Sequence, residues 1–251
     1  MNKSGELILQ HLGAVRVERA ARGASAQLAS RVIQVKRYQQ ARFARSYADL
    51  LSHPRYAGAA RFFLDDLYGP GDFSQRDAQF ARIVPALVRL FPREVVDTVE
   101  TLTALHALSE QLDTEIARHI DATPLTAAAY VAAWRITGQP ASRQRQIELM
   151  LDVGRALDVY TRRPLLRHSL RAMRVPARAA GLSALQSFLE SGFATFRAMN
   201  GAQEFLAQIS QRERAMAESL FGMASAADPL EQLPEEVVGG HRHALSKRPR
   251  N

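Results

Sequence analysis

Strand signals are nearly missing from this chain, and helix starts and stops recur along its length. No run of Val, Ile, Thr or Tyr alternates with polar residues between Asn-Gly or Asp-Gly turns, which is the pattern a half-buried strand writes. Ser4 stands where a helix N-cap belongs, and Glu6 falls in the first turn of the first helix, where the helix dipole favours an acid. The spacing predicts helices over 4–22, 25–51 and 55–68. In the second, Leu28, Val32, Val35, Phe43 and Leu50 fall on one apolar stripe. Gly69-Pro70-Gly71 ends the third. Ser74 with Asp77 three residues on reads as a capping-box variant, opening a helix that Pro85 should kink or split. Further helices are expected from Pro92 to about Ile120, from Thr123-Pro124 to Gly138, and from Ser142 to Arg162. Pro164, Pro176 and Gly181 cut the next stretch into short helices, and 182–199 and 202–221 complete the set. The expected fold is all-α, a single multi-helix bundle-like domain over residues 1–224. From Ser225 the periodicity stops and aromatic residues vanish, so 225–251 reads as a disordered C-terminal tail.

Composition narrows the function classes. The chain has no cysteine, which excludes disulfides, thiolate zinc sites and cysteine nucleophiles. The first residues lack a continuous apolar h-region, and the longest apolar-looking stretch, Leu125 to Trp134, is about half the roughly 20 residues a membrane helix needs. A soluble cytoplasmic protein without a membrane partner is therefore expected. The net charge of +8 is segregated. Residues 1–60 carry ten basic and three acidic groups, residues 61–121 six and eleven, and residues 155–197 eight and two. Either a basic surface awaits an anionic partner, or basic helices flank an acidic layer and neutralise it; the second is the expected arrangement. Of 33 basic residues 30 are Arg. With abundant Ala this looks like codon bias, so arginine count alone says little about phosphate recognition.

The segment Phe62-Phe63-Leu64-Asp65-Asp66-Leu67-Tyr68-Gly69-Pro70, followed by Asp72-Phe73 and Arg76-Asp77, resembles the bacterial FFLEELY motif proteins. Asp65 and Asp66 stand here in place of the two glutamates, which keeps the charges and shortens the reach. The resemblance implies a helical, uncharacterised bacterial protein and supplies no catalytic residue. As residues, the motif makes a helix apolar on most faces. Two adjacent carboxylates on such a helix need partners, so an ion pair between Asp65 or Asp66 and an arginine such as Arg61 or Arg76 is expected. A metal or substrate site using those acids is the alternative.

Two further constellations stand out. His106, Glu110 and Asp113 are spaced four and three apart and interrupt an apolar stripe on the helix after Pro92. Such side chains could line a metal or cofactor site. No Glu-x-x-His pair accompanies them, so a hydrogen-bond network with arginine partners is expected and no metal or other cofactor is assigned. Arg167, Arg171, Arg174 and Arg178 fall at spacings of four, three and four. They form a candidate anion-binding stripe, with Pro176 threatening its last member. Trp134 is expected in the core. His241 and His243 lack a third ligand and are read as incidental. There is no Gly-x-Gly-x-x-Gly, P-loop, Gly-x-Ser-x-Gly or His-Glu-x-x-His signature. The leading reading is therefore a non-enzymatic interaction or regulatory module with a protein partner. The alternatives are nucleic-acid binding through the basic helices 25–51 or 167–178, and a helical metal- or cofactor-dependent enzyme using His106, Glu110 and the motif acids.

Overall fold

The computed structural model describes residues 2–67, 69–121, 124–223 and 229–237. The motif residue Tyr68 and the histidines 241 and 243 lie outside them. The architecture is all-α. Helix α1 (Lys3–Gly23) is capped by Asn2, not Ser4: the Asn2 side chain accepts the Gly5 N–H at 3.0 Å. Helix α2 (Ala26–Ser46) is capped by Ser25, whose hydroxyl accepts the Leu28 N–H at 3.2 Å. The expected single helix over 25–51 breaks at Tyr47, and α3 (Ala48–Ser52) follows. Pro85 does not split α5 (Ser74–Leu90). Only one backbone N–H is lost there, and the flanking Val84 and Leu87 stay buried against Ile8 and Leu12 of α1 and against Val96.

The long helix α6 (Arg93–Arg118) is the spine. It packs on α1, α2, α5, α7 (Ala127–Thr137) and α8 (Pro140–Thr161). Around it lie α9 (Pro164–Ala172), α10 (Arg174–Ala179), α11 (Ser183–Ala198) and α12 (Gln203–Leu220). Thr126 caps α7, accepting the Ala129 N–H at 3.3 Å; the expected cap, Thr123, lies outside the described residues. The core is three apolar clusters, two of which include α6 residues. One joins Val32, Val35 and Tyr38 to Ile116, Tyr130, Trp134 and Leu220. A second joins Tyr47, Tyr56 and Ile147 to Phe196, Phe205 and Ile209. The third lies between α1, α5 and α6. No helix among the described residues is long and apolar enough to cross a membrane.

The motif does not continue the α-helix. Helix α4 (Ala57–Arg61) passes into a π-helix over Phe62–Leu67. Wider turns leave backbone groups badly placed for helical pairing, and neighbours take them up. Gln40 of α2 donates to the Leu64 carbonyl at 3.1 Å, and Arg76 of α5 donates to the Asp66 carbonyl at 2.7 Å. The segment is pressed against α11. Phe62 stacks on Phe188 at 5.4 Å and lies over Gly192, where a Cβ would come within 2.8 Å of the ring.

Residues 229–237, within the stretch expected to be disordered, are a correction. A short 3-10 turn (Pro229–Gln232) leads to β2 (Glu236–Val237), which pairs antiparallel with β1 (Leu125–Thr126). Leu233 enters the first apolar cluster, the Tyr38 hydroxyl donates to the Pro234 carbonyl at 2.8 Å, and Arg45 donates to the Leu233 carbonyl at 3.1 Å. Leu233, with Leu230 and Val237 packed beside it, and a few backbone acceptors are enough to dock a polar segment, and composition averaged over the tail conceals them.

Two measurements follow. Truncation after Met223 is expected to lower the melting temperature by about 5 °C or more, a kcal/mol or two at this size, whereas truncation after Val237 keeps the strap and serves as the control. Gly192→Ala is expected to destabilise by about 1–3 kcal/mol because Phe62 must move. Gly13→Ala in α1, where a Cβ meets nothing within 4 Å, should stabilise by about 0.5–1 kcal/mol. Urea denaturation of both variants reads the difference.

Candidate functional site

The site is built on one face of α6. Glu110 is almost fully buried, at 2% exposure. Its Oε1 accepts from Lys36 Nζ at 2.8 Å and Arg19 Nη2 at 3.1 Å, and its Oε2 accepts from Arg22 Nη2. Burial pushes the Glu110 carboxyl up, but the Lys36 and Arg22 charges outweigh it and hold Glu110 well below the ordinary carboxylate range. Helix α1 supplies Arg19 and Arg22 three residues apart, on the face that meets α6. One turn earlier on α6, His106 Nε2 lies 2.9 Å from Asp77 Oδ2. That oxygen also accepts Arg19 Nη1 at 2.9 Å. Burial would raise the Asp77 carboxyl; the His106 hydrogen bond and charge, then the Arg76 and Arg19 charges, hold it below its usual value. Asp77 is thus drawn into this network rather than closing a capping box. The α5 start is instead met by Asp72, which accepts the Ser74 N–H at 2.9 Å and its hydroxyl at 2.5 Å.

The network continues along the bundle. Gln39 donates to Asp113 at 3.3 Å, and Gln146 of α8 donates to the Ser109 hydroxyl at 2.8 Å. Arg42 grips Glu213 of α12 through two bonds at 2.6 and 3.1 Å, and the Tyr47 hydroxyl reaches the same carboxylate at 2.5 Å. The break at Tyr47 places that ring between α2 and α12. The basic segment 1–60 and the acidic segment 61–121 therefore meet directly, through Arg19, Arg22, Lys36 and also Arg31, which bonds Asp121 at 3.0 Å.

These polar groups form one side of an interior cavity of about 160 Å³. His106, Ser109, Glu110, Asp113 and Gln146 line it on the polar side. Phe63, Leu64 and Leu67 of the π-helix, with Phe80, Phe205, Ile209 and the sole tryptophan Trp134, form much of the apolar wall. Arg76 lies between the Phe73 ring at 4.2 Å and the Phe188 ring at 4.5 Å, beside the motif. Trp134 is buried as expected and carries the Arg143 guanidinium 4.0 Å above its ring.

The sequence candidates divide. His106, Glu110 and Asp113 do share the cavity face. Arg19 touches both His106 and Glu110, so a guanidinium stands where a shared metal would have to lie. No group of three or more His, Asp or Glu among the described residues is arranged to hold a metal ion. Asp65 and Asp66 do not join this cluster. Asp65 is exposed and accepts from Gln40 at 3.2 Å. Asp66 is half-buried, and burial with the Asp65 charge pushes its carboxyl up. The expected arginine pair is not formed: Arg76 bonds the Asp66 backbone oxygen, and no carboxylate of the two lies in an ion pair among the described residues. Asp65 thus faces water, whereas Asp66 stays partly buried without a carboxylate ion pair among the described residues. The basic stripe is also divided. The helix breaks at Met173, before Pro176, leaving Arg167 and Arg171 on α9 and Arg174 and Arg178 on α10. Arg174 bonds Glu190 of α11 at 2.6 Å. Arg19, Arg22 and Lys36 escaped the sequence reading, and Asp77 was read only as a capping residue; the charge segregation between segments was the signal that could have found them.

The chain belongs to the family described as Domain of unknown function (DUF8198), which matches residues 18–227 and so spans the site and the motif. No curated protein and no solved structure matches it significantly.

The sign of the pH effect at Glu110 is fixed by its depressed folded-state value. Such a carboxylate stabilises the fold above its unfolded pKa and loses that contribution as pH falls towards the folded value. The loss should begin near pH ~4.3, the ordinary Glu value. Glu110→Gln leaves Arg19, Arg22 and Lys36 facing one another and should cost about 3–5 kcal/mol at neutral pH. Urea denaturation from about pH 5 to about pH 2 should show the gap between wild type and variant closing.

Proposed function

We propose that this member of the DUF8198 family is a non-enzymatic binding module of regulatory type, and that its interior cavity takes a small, mostly apolar molecule with one polar end. The observation that carries this is the two-sided wall of the cavity. Cavities of this size, about 160 Å³, match the roughly 150 Å³ that admits a benzene ring in an engineered core. Aromatic and aliphatic side chains give the affinity, and a few fixed polar groups set orientation. Here Ser109, Gln146 and His106 are those groups.

The non-enzymatic reading draws on how the ionisable groups are engaged. Both Glu110 oxygens face cations, and the His106 Nε2 atom is held between Asp77 and Arg19. A general base or nucleophile needs a lone pair directed at substrate, and these are directed at one another. We further read the chain as an FFLEELY motif protein, on Phe62, Phe63, Leu64 and Leu67 and the acids Asp65 and Asp66 between them. In this reading Phe63, Leu64 and Leu67 of the motif are cavity wall, and Phe62 fastens the segment to α11.

Trp134 is the only tryptophan and lines the cavity, so its emission reports occupancy. Titration with nitrobenzene, a ring with one polar end whose nitro group quenches indole fluorescence on contact, should quench Trp134 saturably. Ala217→Leu places extra methyl groups at a lining position and should weaken binding by about tenfold or more, ~1.4 kcal/mol. Non-saturating quenching, or equal affinity in the variant, would overturn the proposal.

A further inference from the structure

A second cavity, of about 230 Å³, shares no lining residue with the first. It lies where α8, α9 and α11 meet the turn into α12. Arg167 of α9 and Arg197 of α11 both line it, together with Arg162, Asp158 and the Asn200-Gly201 turn.

The charges here do not balance. The one acid, Asp158, is engaged through both oxygens: Oδ2 accepts from Arg162 at 2.8 Å, and Oδ1 accepts the Ala202 N–H at 3.0 Å, at the start of α12. Arg167 and Arg197 make no ion pair with any described carboxylate, whereas Arg174 nearby has Glu190. The Arg167 Nε atom is shut off from solvent and has no hydrogen-bond partner among the described residues. The Arg197 charge, then partial burial, then the Arg171 charge hold the Arg167 guanidinium below its ordinary value. Two guanidinium groups converging on one concavity repel each other, and bringing them together costs free energy unless an anion enters. Their planar forks suit the oxygens of a tetrahedral phosphate better than a lone ammonium would.

We propose that this cavity binds a phosphoryl dianion, gripped by Arg167 and Arg197, with Arg162 at its rim. The ligand is either inorganic phosphate or the phosphate of a small monoester. The site differs from a stripe along 167–178: its second arm comes from α11, thirty residues further along the chain, and Arg174 and Arg178 have no part in it.

The experiment is a pair of titrations of the full chain at constant ionic strength set with potassium chloride, one with inorganic phosphate and one with glycerol 3-phosphate, read by calorimetry and by melting temperature. Phosphate should raise the wild-type melting temperature saturably. Arg167→Ala and Arg197→Ala should each weaken binding about tenfold or more, and Arg178→Ala should leave it unchanged. Removing one member of a repelling pair should not harm the empty fold, so Arg197→Ala should melt at or above wild type in chloride and below it in saturating phosphate. That crossing is the signature of a built site. A rise of equal size in wild type and both variants, no rise at all, or variants that melt lower in chloride would overturn the proposal. Tighter binding of the monoester assigns the ligand to an ester, and equal affinities assign it to the free anion.

Discussion

The carboxylate of Glu110 is the point on which the arrangement of the bundle depends. A charge at 2% exposure is tolerable only with its partners in place, and those partners arrive from two different helices. Arg19 and Arg22 come from α1, and Lys36 comes from α2. Sliding either helix by one turn along α6 would strand a buried charge. Apolar packing alone tolerates such slips, since one leucine row resembles the next. The ion cluster thus supplies register, and the leucine and phenylalanine clusters supply most of the adhesion.

The same cluster shapes the cavity. A row of charged and amide side chains on α6, α2 and α8 cannot be packed as tightly against rings as aliphatic groups pack against each other. Their hydrogen-bonding directions fix them towards one another, and the rings of Phe63, Phe80 and Phe205 stand back from them. The space between a polar spine and an apolar wall is a consequence of satisfying both. The motif segment completes that wall. Its π-turns need outside donors, and Gln40 and Arg76 provide them.

Much of the helical plan was legible because helix ends are written locally: Ser25, Pro92, Pro140 and Gly138 each act within a turn of where they stand. Their errors were local as well, with Asn2 capping in place of Ser4 and Thr126 doing the work expected of Thr123. The face shared by His106, Glu110 and Asp113 was also legible, since helical spacing fixes it. What spacing does not carry is the identity of partners from distant segments. Arg19 and Glu110 are 91 residues apart, and only the opposed charges of their segments hinted at the pairing. The π-helix was illegible because no residue of the seven-residue motif marks a change of period, and the donors that meet its carbonyls, Gln40 and Arg76, come from other helices. That misplaced Asp65 and Asp66, which were assigned arginine partners: Asp65 is exposed, and Asp66 offers Arg76 its backbone oxygen. Arg197 was missed for a related reason: a lone arginine on α11 shows no pattern until α9 is folded beside it.

The strap formed by residues 229–237 has a consequence for the order in which the molecule can be made. The bond from the Tyr38 hydroxyl to the Pro234 carbonyl joins residues 196 apart in sequence. Helix α2 emerges early from the ribosome, at roughly 5–20 residues per second, yet the group that covers its buried tyrosine follows 196 residues later. During that interval the surface around Val32, Val35 and Tyr38 lacks Leu233 and the backbone acceptor it will use. A mostly helical protein would be expected to fold quickly through local contacts, but this closure is among the least local contacts in the chain. Closure of this face therefore waits for the strap, and the bundle without it is the form that chaperones and proteases meet first.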